Sequence, residues 1–299
     1  MKITIIFNPV AGAGKRKKLN RAVGVLCGRG IRPKIRETTK QGDARRFAAE
    51  EAERDTEVVI AAGGDGTINE VANGLAGSRV ALGVVPLGVA NLLALEMGIP
   101  ADPALAVEII LGGATRLINP GYVVLEDIDS GKEIRRFFLL MAGIGFDGGI
   151  LHDINRSRVE SWGKAAYVMA GMRAMAKYTK TAFSVRFDSR EELLAYSAVV
   201  GKSRFYGGKF MVTPRASLLD ESLDACVFTS PGPLRMLKHA VNVLIGRHPA
   251  QGGVYYAKAR ELDIDSRDKV YIQVDGDYLG RLPARLGVGK NALQIVVPG

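Results

Sequence analysis

The residues best suited to chemistry lie in one short stretch, positions 56–69, which read TEVVIAAGGDGTIN. An apolar strand there runs into a Gly-Gly-Asp-Gly-Thr turn, and a helix is expected to follow. Glycines at the carboxyl end of a buried strand let backbone N–H groups approach an anion, and a helix N-terminus adds the positive end of a dipole. Asp65 is the only charged residue in the turn. An acid beside phosphate groups is costly unless a divalent cation or an incoming hydroxyl uses it, so the stretch predicts Mg²⁺-assisted phosphoryl transfer.

A purely structural explanation of the same residues stays open. Thr67 and Glu70 form the pattern T-x-x-E, the capping box with which a helix closes its own first turn. On these residues alone, a phosphate site and a plain helix cap both account for the pattern.

Two further loops follow apolar strands. The strand at 2–7 leads into NPVAGAG at 8–14, which has neither the ending of a Walker A loop nor the spacing of the dinucleotide fingerprint. The strand at 80–85 leads into PLGVAN at 86–91. Because ligands of open parallel sheets bind outside the carboxyl ends of the strands, the three loops predict one binding edge.

In their order along the chain, the motifs resemble those of the bacterial diacylglycerol kinase-like lipid kinases, relatives of sphingosine and ceramide kinases. The resemblance spans nearly the whole chain. Its motifs are NPxAGxG at 8–14, Thr38 ahead of Gly-Asp-Ala at 42–44, GGDGT at 63–67, PLGxAN at 86–91, AGIGFD at 142–147 and VDGD at 274–277. NAD kinases and phosphofructokinases share the GGDG segment, so the flanking motifs decide the assignment.

The resemblance implies a fold and a function. It implies an α/β nucleotide-binding domain with a parallel sheet, of the phosphofructokinase or NAD kinase type, followed by an antiparallel β-sandwich domain. It also implies ATP and Mg²⁺, with the γ-phosphoryl group passing to a lipid hydroxyl in a cleft between the domains. The acceptor is expected to be diacylglycerol, a long-chain base, a ceramide or a similar lipid. A soluble NAD kinase-like phosphotransferase and a non-catalytic homologue that binds nucleotide or lipid are the alternatives.

Carried over position by position, the resemblance assigns roles to residues. The expected catalytic carboxylates are Asp65, which orients metal and phosphates, Asp275, the candidate general base, and Asp277, which stands where the family usually has Glu. The residues expected to bind the nucleotide are Asn8, Pro9, Ala11, Gly12, Thr38, Gly63, Gly64, Asp65, Gly66, Thr67, Asn69, Gly88 and Asn91. The residues expected to hold metal are Asp65 and, at a structural Mg²⁺ site, Ser217, Asp220 and Ser222.

Several positions depart from the family pattern. Val89, Leu92 and Asn119 stand where many bacterial diacylglycerol kinases have Thr, Asp and Asp, and Glu221 replaces a glycine of the metal-site motif DDGxxD. The acidic network is therefore thinner than usual. Asp275 has an alternative role as well, since Asp-Gly between two strand-like runs is the strongest short signal for a hairpin turn.

Length and composition indicate two domains. A chain of 299 residues with 47% hydrophobic content can bury sizeable cores. The expected domains are residues 1–118, joined by a strand at 291–299, and residues 119–290. Two cysteines exclude a disulfide framework, and three histidines add no zinc-ligand pattern. The longest uncharged stretch, 80–95, is shorter than the ~20 residues of a spanning helix, so cytoplasmic location with peripheral membrane association is expected.

Charge is unevenly distributed along the chain. Residues 1–40 hold 11 Lys or Arg and one acid, Glu37, so that they carry the whole net charge of +10. The run Lys15, Arg16, Lys17 and Lys18 could neutralise nucleotide phosphates, face an anionic membrane or simply be solvated. A nucleic-acid partner is not expected, because no nucleic-acid-binding motif accompanies the charge. The oligomeric state stays open, with a homodimer among the options.

Hydrophobic periodicity predicts the elements that carry these motifs. Strands are predicted at 2–7, 33–38, 56–62 and 80–85, alternating with helices near 15–28, 42–54 and 67–76. Later strands are predicted at 121–125, 136–141, 182–187, 195–201, 223–229 and 269–274, with helices at 163–178 and 233–246. A last strand at 292–297 is expected to return to the first domain.

The two later helices are candidates for lipid contact. Leu234, Leu237, Val241 and Leu244 recur at helical spacing, with Arg235, Lys238, His239 and Arg247 beside them. Such a face usually belongs to a protein core, and a membrane-facing or acyl-chain role is the alternative. The same ambiguity holds for Met169, Met172 and Met175. His239 and Trp162 are assigned no functional role.

Overall fold

A computed structural model describes residues 1–9, 14–127, 130–153, 181–206, 208, 210–250 and 252–299. Ala11, Gly12, Trp162 and the predicted helix at 163–178 with its methionines lie outside the described residues. The chain divides into one unit of Met1–Pro120 with Gly289–Gly299 and a second unit of Gly121–Val288. The sequence-based boundaries differ from these by two residues.

The elements of the chain up to residue 118 alternate between strand and helix. They are β1 Ile3–Phe7, α1 Lys15–Gly28, β2 Lys34–Glu37, α2 Asp43–Ala52, β3 Val58–Gly63, α3 Asp65–Leu75, β4 Ala81–Pro86, α4 Leu92–Glu96, α5 Pro103–Gly112 and β5 Thr115–Ile118.

The elements from residue 121 onward are mostly strands. They are β6 Gly121–Glu126, β7 Glu133–Phe138, β8 Met141–Gly145, α6 Phe146–Asp153, β9 Phe183–Phe187, β10 Glu191–Ala195, β11 Ser197–Gly201, β12 Phe205–Tyr206, β13 Phe210–Met211, β14 Leu223–Phe228, α7 Pro233–Leu244, a 3₁₀ turn His248–Ala250, β15 Val254–Ala259, β16 Glu261–Asp265, β17 Tyr271–Val274, β18 Asp277–Arg281, β19 Ala284–Val288 and β20 Leu293–Val296.

The first unit is an α/β domain whose sheet is parallel except at one edge. The strand order is β2-β1-β3-β4-β20-β5, and only the last pair, β20 with β5, is antiparallel. Strands β1, β3 and β4 are buried along their whole length, as expected for parallel strands covered on both faces. The final strand lies between β4 and β5, so the expected return of residues 292–297 to this sheet is observed.

The second unit is an antiparallel β-sandwich. Its two six-stranded sheets have the orders β10-β9-β16-β19-β6-β7 and β15-β14-β11-β8-β17-β18. Buried side chains of both sheets form one cluster, with Val123 and Leu286 from the first sheet and Ile144, Val200 and Val227 from the second. Two inward faces that share one core define a sandwich.

One predicted strand in this unit is wrong in its bounds. Residues 136–141 do not form one strand, because β7 ends at Phe138 and β8 begins at Met141. The N–H groups of Leu139 and Leu140 donate to the carboxylate of Asp275. Since these groups are taken by a side chain, the chain turns between the two strands.

Helix α5 was not predicted, although the sequence carries its boundary signals. The side chain of Asp102 accepts hydrogen bonds from Ala104 N and Leu105 N, Pro103 occupies the first turn, and Gly113 follows the helix with a φ of 70°. These are an N-cap, an N-terminal proline and a C-terminal glycine. Hydrophobic periodicity does not predict this helix, because its apolar residues surround the helix axis instead of forming one stripe.

Candidate active site

The loops after β3 and β4 and the first residues after β1 meet at the carboxyl edge of the first sheet. Because β1, β3 and β4 are parallel neighbours, the loops that follow them emerge side by side. The backbone ties them together, with Asn8 N donating to Ala62 O at 3.2 Å and Leu87 N donating to Gly63 O at 2.8 Å. The predicted binding edge is thus present as a geometric feature of this unit.

The first and second loops are joined through side chains. The amide Nδ2 of Asn8 donates to Thr67 Oγ1 at 3.1 Å. Gly63 lies directly beneath this threonine, since a Cβ at position 63 would come within 2.6 Å of Thr67 Cβ. The glycine is therefore required by close packing against Thr67.

The second and third loops touch through glycine backbones. A Cβ on Gly88 would lie 2.6 Å from Gly64 Cα and 2.7 Å from Asn91 Oδ1. Asn91 closes the third loop on itself, with Oδ1 accepting from Gly88 N and Nδ2 donating to Gly88 O, both at 2.9 Å. Its backbone is left-handed, with a φ of 49°, a conformation that asparagine tolerates. In this structure, the side chain predicted to bind nucleotide organises the loop.

Gly66 differs from the neighbouring glycines. It is exposed, its φ is not left-handed, and nothing beyond its chain neighbours and its own helix backbone lies within 4 Å of where a Cβ would stand. It is the second residue of α3, whose first-turn N–H groups have no acceptor within the helix. The fold itself does not require glycine here, and the lack of a side chain leaves those N–H groups open to the approach of an anion.

Asp65 begins α3 and faces the start of α4. Its Oδ1 accepts from Leu93 N at 3.3 Å, and it is half-buried. Burial raises the pKa of Asp65, and the N–H groups of Leu93, Leu92 and Asn91 oppose that rise. The carboxylate therefore joins the second loop to the third and carries a charge that is only partly compensated.

Asp65 could hold Mg²⁺ only together with ligands that the described residues of the protein do not supply. Among the described residues, no three His, Cys, Asp or Glu side chains converge to hold a metal. Mg²⁺ is commonly held by one or two carboxylates together with substrate phosphates and water. One partly compensated carboxylate at a helix start fits a metal that would arrive with a nucleotide.

The capping-box alternative for Thr67 and Glu70 is wrong. Thr67 is the third residue of α3, whose N-cap is Gly64, and its hydroxyl accepts from Asn8. The carboxylate of Glu70 accepts from Gly42 N at 2.9 Å and Ala44 N at 3.1 Å, so it caps the neighbouring helix α2. A cap between two helices cannot be recognised from spacing within one of them.

The remaining nucleotide positions differ in their surroundings. Thr38 is buried beside the first loop, where its N–H donates to Phe7 O at 2.9 Å. Pro9 is exposed. Asn69 is buried inside the second turn of α3, where Asn73 Nδ2 donates to its Oδ1 at 3.1 Å. Asn69 is therefore linked along its own helix to Asn73.

In the second unit, Asp275 is held by backbone amides. Oδ2 accepts from Leu139 N at 2.8 Å, and Oδ1 accepts from Leu140 N and Met141 N, both at 2.9 Å. Asp275 and Gly276 have φ angles of 48° and 88° and connect β17 to β18. The predicted hairpin is confirmed, and the carboxylate is held rigidly at its turn. Asp277, half-buried, begins the next strand.

A buried carboxylate supports this turn and was missed as a site residue. Asp147 accepts from the hydroxyl of Tyr206 and from Gln273 Nε2, the latter at 2.6 Å. Gln273 Oε1 in turn accepts from Gly276 N at 2.9 Å. Burial raises the pKa of Asp147, and both donors oppose that rise. The AGIGFD motif contains Asp147 and is the sequence signal for this site. Its first glycine, Gly143, is needed because a Cβ there would collide with the Asp147 carboxylate.

The loop predicted to hold a structural Mg²⁺ contains ammonium groups instead. Lys202 is fully buried, and its Nζ donates to the carbonyl oxygens of Asp220 at 2.6 Å and Ser222 at 3.0 Å. Lys258 Nζ lies 2.5 Å from Asp220 Oδ2 and 3.1 Å from Asp224 Oδ2.

These contacts leave the loop unsuited to a divalent cation. Ser217 Oγ accepts from Leu219 N at 3.1 Å, so this hydroxyl is engaged locally. Burial lowers the pKa of Lys202 to about 8, and Asp220 and Asp224 oppose that change. Two cations already compensate the oxygens expected to bind Mg²⁺, so Ser217, Asp220 and Ser222 do not fit a metal site.

Comparison with known proteins identifies the class to which these two units belong. Residues 2–123 match the diacylglycerol kinase catalytic domain, and residues 141–297 match the YegS C-terminal NAD kinase beta sandwich-like domain. The chain is 30% identical to the diacylglycerol kinase of Bacillus subtilis (strain 168), over 98% of this chain and 95% of the relative. It is 29% identical to a diacylglycerol kinase of Mycobacterium tuberculosis, over 99% of this chain and 95% of the relative.

Solved structures agree on the fold. A diacylglycerol kinase structure from Bacillus anthracis str. Sterne matches with a TM-score of 0.70 at 21% identity, covering 99% of this chain and 96% of that one. Yeast NADH kinase complexed with NADH matches with a TM-score of 0.59 at 11% identity, covering 100% and 84%. The chain belongs to the diacylglycerol kinase-like lipid kinase family and is a phosphotransferase. In the part of the chain that the structure describes, no helix is long and apolar enough to span a membrane.

Replacing Gly66 with alanine separates ligand binding from folding. Because Ala is favoured over Gly in a helix by roughly 1 kcal/mol, Gly66→Ala should keep or slightly raise the melting temperature. The added methyl group should weaken ATP binding at least about tenfold, because it stands where a phosphate would approach the amides. Calorimetric titration with ATP measures this.

Gly24→Ala is the matched control, since Gly24 is also exposed, helical and without neighbours within 4 Å. It should have the same effect on stability and none on ATP affinity. Equal ATP affinity in both variants would remove Gly66 from the binding site.

Because Lys202 and Lys258 already bind the oxygens of residues 220–224, the stability of the second unit should not depend on a divalent cation at this loop. A chelator should leave the melting temperature of the protein unchanged.

Lys202→Met should lower the free energy of unfolding by about 3–5 kcal/mol, because it removes the buried ammonium group that binds the carbonyl oxygens of Asp220 and Ser222. The exposed Lys269→Met serves as control and should change stability by no more than about 0.5 kcal/mol. A chelator-induced drop in melting temperature that Mg²⁺ reverses would contradict this account.

Proposed function

We propose that this protein transfers the γ-phosphoryl group of ATP to a hydroxyl group of a membrane lipid. The observation that carries the nucleotide part is Gly66, a glycine that the fold does not need, at the start of α3 beside two further loops. Three loops at adjacent strand ends, with few side chains among them, suit a polyphosphate better than an apolar ligand.

The first unit supplies the groups that would bind ATP. Amides of the first turn of α3 would hold phosphate oxygens, and the bond from Asn8 to Thr67 would keep the first loop against that turn. Asp65 would hold Mg²⁺, which, when bound, would neutralise charge on the phosphates. The partial burial of Asp65 supports this role, because a nearby cation would offset the cost of burying its charge.

Asp275 is the candidate base for the acceptor hydroxyl. Three backbone amides fix its position, as a base must be fixed to meet a substrate proton. The network of Asp147, Tyr206 and Gln273 stiffens the same turn. A purely structural role as organiser of the hairpin has the same geometry, so the choice between them is experimental.

Diacylglycerol is the first acceptor to test, because the relatives that cover nearly all of this chain are named diacylglycerol kinases. A long-chain base and a ceramide are the next. Of the departures from the family pattern, Asn119 has a structural task here: its Oδ1 accepts from Asn291 N at 2.7 Å and so secures the approach to β20. The catalytic carboxylates of the proposal are then Asp65 and Asp275, with Asp277 next to the latter.

Radiolabelled ATP tests the function directly. We expect label to pass to lipid when ATP and Mg²⁺ are supplied with diacylglycerol dispersions, and not when the acceptor is NAD or absent. Asp65→Asn is the control, with turnover reduced roughly 10²-fold or more. Its melting temperature should stay within a few degrees, because an amide oxygen can still accept from Leu93 N. Transfer to NAD, or full turnover by the folded variant, would contradict the proposal.

Asp275→Asn distinguishes a base from a hairpin organiser. An amide nitrogen in place of one oxygen would face a backbone N–H, so the variant should lose about 1–3 kcal/mol of stability in either case. If Asp275 is the base, kcat per folded molecule should also fall roughly 10² to 10⁴-fold, with ATP affinity unchanged.

The assay is run well below the melting temperature of the variant, with the folded fraction measured by circular dichroism. Backbone strain is not a confounder, because asparagine adopts the left-handed conformation readily. Activity that falls only in proportion to the folded fraction would assign Asp275 to structure alone.

A further inference from the structure

Helix α7 exposes most of its large apolar residues to solvent, while two of its polar residues are buried against the protein. Leu234, Leu237, Val241, Leu244 and the following Ile245 are 82%, 52%, 48%, 57% and 57% exposed. Met236, His239 and Asn242 are the buried positions of the helix. The expectation that the leucine face belongs to the core is therefore wrong. A surface helix normally has the opposite orientation.

The buried side of the helix makes this orientation costly for the isolated protein. The ring of His239 packs against Phe228 with centroids 5.3 Å apart, and neither ring nitrogen has a hydrogen-bond partner among the described residues. Burial lowers the pKa of His239, and Lys238 and Arg235 lower it further. A buried His239 ring and exposed leucines on the same helix are consistent with an outer face that contacts an apolar phase.

The charges around the exposed apolar face of α7 indicate which kind of apolar phase it contacts. From residue 225 to residue 260 the chain contains no Asp or Glu, whereas Arg235, Lys238 and Arg247 are exposed on or next to the helix. At 100° per residue, the five apolar residues occupy an arc of about 100°, and Lys238 borders it. A narrow apolar stripe with a cationic edge matches the boundary between anionic headgroups and acyl chains.

A second copy of this chain fits the face less well. Two such faces would bring cations against cations, with no acid of the segment to compensate. We propose that α7 is a membrane-docking helix that inserts Leu234, Leu237 and Val241 into an anionic lipid surface. This rests on the proposed function in one respect, that the acceptor lipid lies in a bilayer.

Cosedimentation with vesicles of equal phosphatidylglycerol and phosphatidylcholine, without ATP, tests docking separately from catalysis. The unmodified protein should bind these vesicles at 0.05 M salt and bind pure phosphatidylcholine at least about tenfold more weakly. The triple variant Leu234→Ser, Leu237→Ser, Val241→Ser should lose at least about tenfold in affinity with an unchanged melting temperature. Arg235→Gln with Lys238→Gln should weaken binding to the anionic vesicles and reduce its dependence on salt.

The matched control replaces Leu105, Leu117 and Leu194 with serine, since these leucines are 57%, 54% and 58% exposed elsewhere on the chain. It should bind vesicles like the unmodified protein. Equal vesicle binding by the α7 variant and this control would overturn the proposal. So would lipid-free dimerisation that the α7 variant abolishes, since the face would then be a contact between copies.

A dispersed short-chain diacylglycerol separates this proposal from the proposed function. The α7 variant should phosphorylate it as the unmodified protein does, while losing activity on vesicles. Vesicle binding without transfer to any lipid would refute the kinase assignment and leave the docking helix standing.

Discussion

The first unit depends on the contact between two glycine backbones, Gly64 and Gly88. A Cβ at position 88 would stand 2.6 Å from Gly64 Cα, so only glycine at position 88 allows the loops after β3 and β4 to touch at this distance. Their contact leaves the start of α3 and the start of α4 as neighbours, so that Asp65, which begins one helix, can accept from an N–H of the other. Because the third loop closes on itself through Asn91, that side chain is turned to its own loop. The described start of α3 therefore offers backbone N–H groups beside the Asp65 carboxylate.

Two pairs of carboxylates in the structure are compensated in different ways. Asp65 and Asp275 are met by backbone amides, which hold a carboxylate in place without themselves carrying a formal positive charge. Asp220 and Asp224 are met by lysine ammonium groups, which neutralise the charge as well. The first arrangement leaves room for chemistry with an incoming cation or proton, and the second does not. This difference separates the carboxylates proposed to act in transfer from those that belong to the fold.

The sequence predicted features that are encoded locally. Continuous apolar runs ending at glycine indicated the parallel strands, and Asp275-Gly276 indicated the hairpin. Features that depend on a distant partner were missed. Glu70, for example, caps a helix 26 residues earlier. For α7, periodicity identified the apolar stripe, but no periodicity states whether a stripe faces the protein or the solvent.

The same limitation applies to charge. Residues 1–40 carry the whole net charge of the sequence, yet at least six of their eleven cations form ion pairs. They are Lys2, Arg16, Arg21, Arg29, Lys34 and Arg36. Five of these pair with acids that lie later in the chain, and only Arg16 pairs inside the segment.

The net positive charge of residues 1–40 is therefore partly compensated in the folded protein by acids that lie later in the chain. The whole first unit contains 17 Lys or Arg and 12 Asp or Glu, half the net charge that its first 40 residues show alone. In the run at 15–18, Lys15 is mostly buried and Arg16 binds Glu37. Around α7, by contrast, 36 consecutive residues contain no acid, so its cations have no acidic neighbours along the chain. Attraction to an anionic membrane is better supported by a segment whose cations stand beside exposed leucines than by one whose cations are already paired.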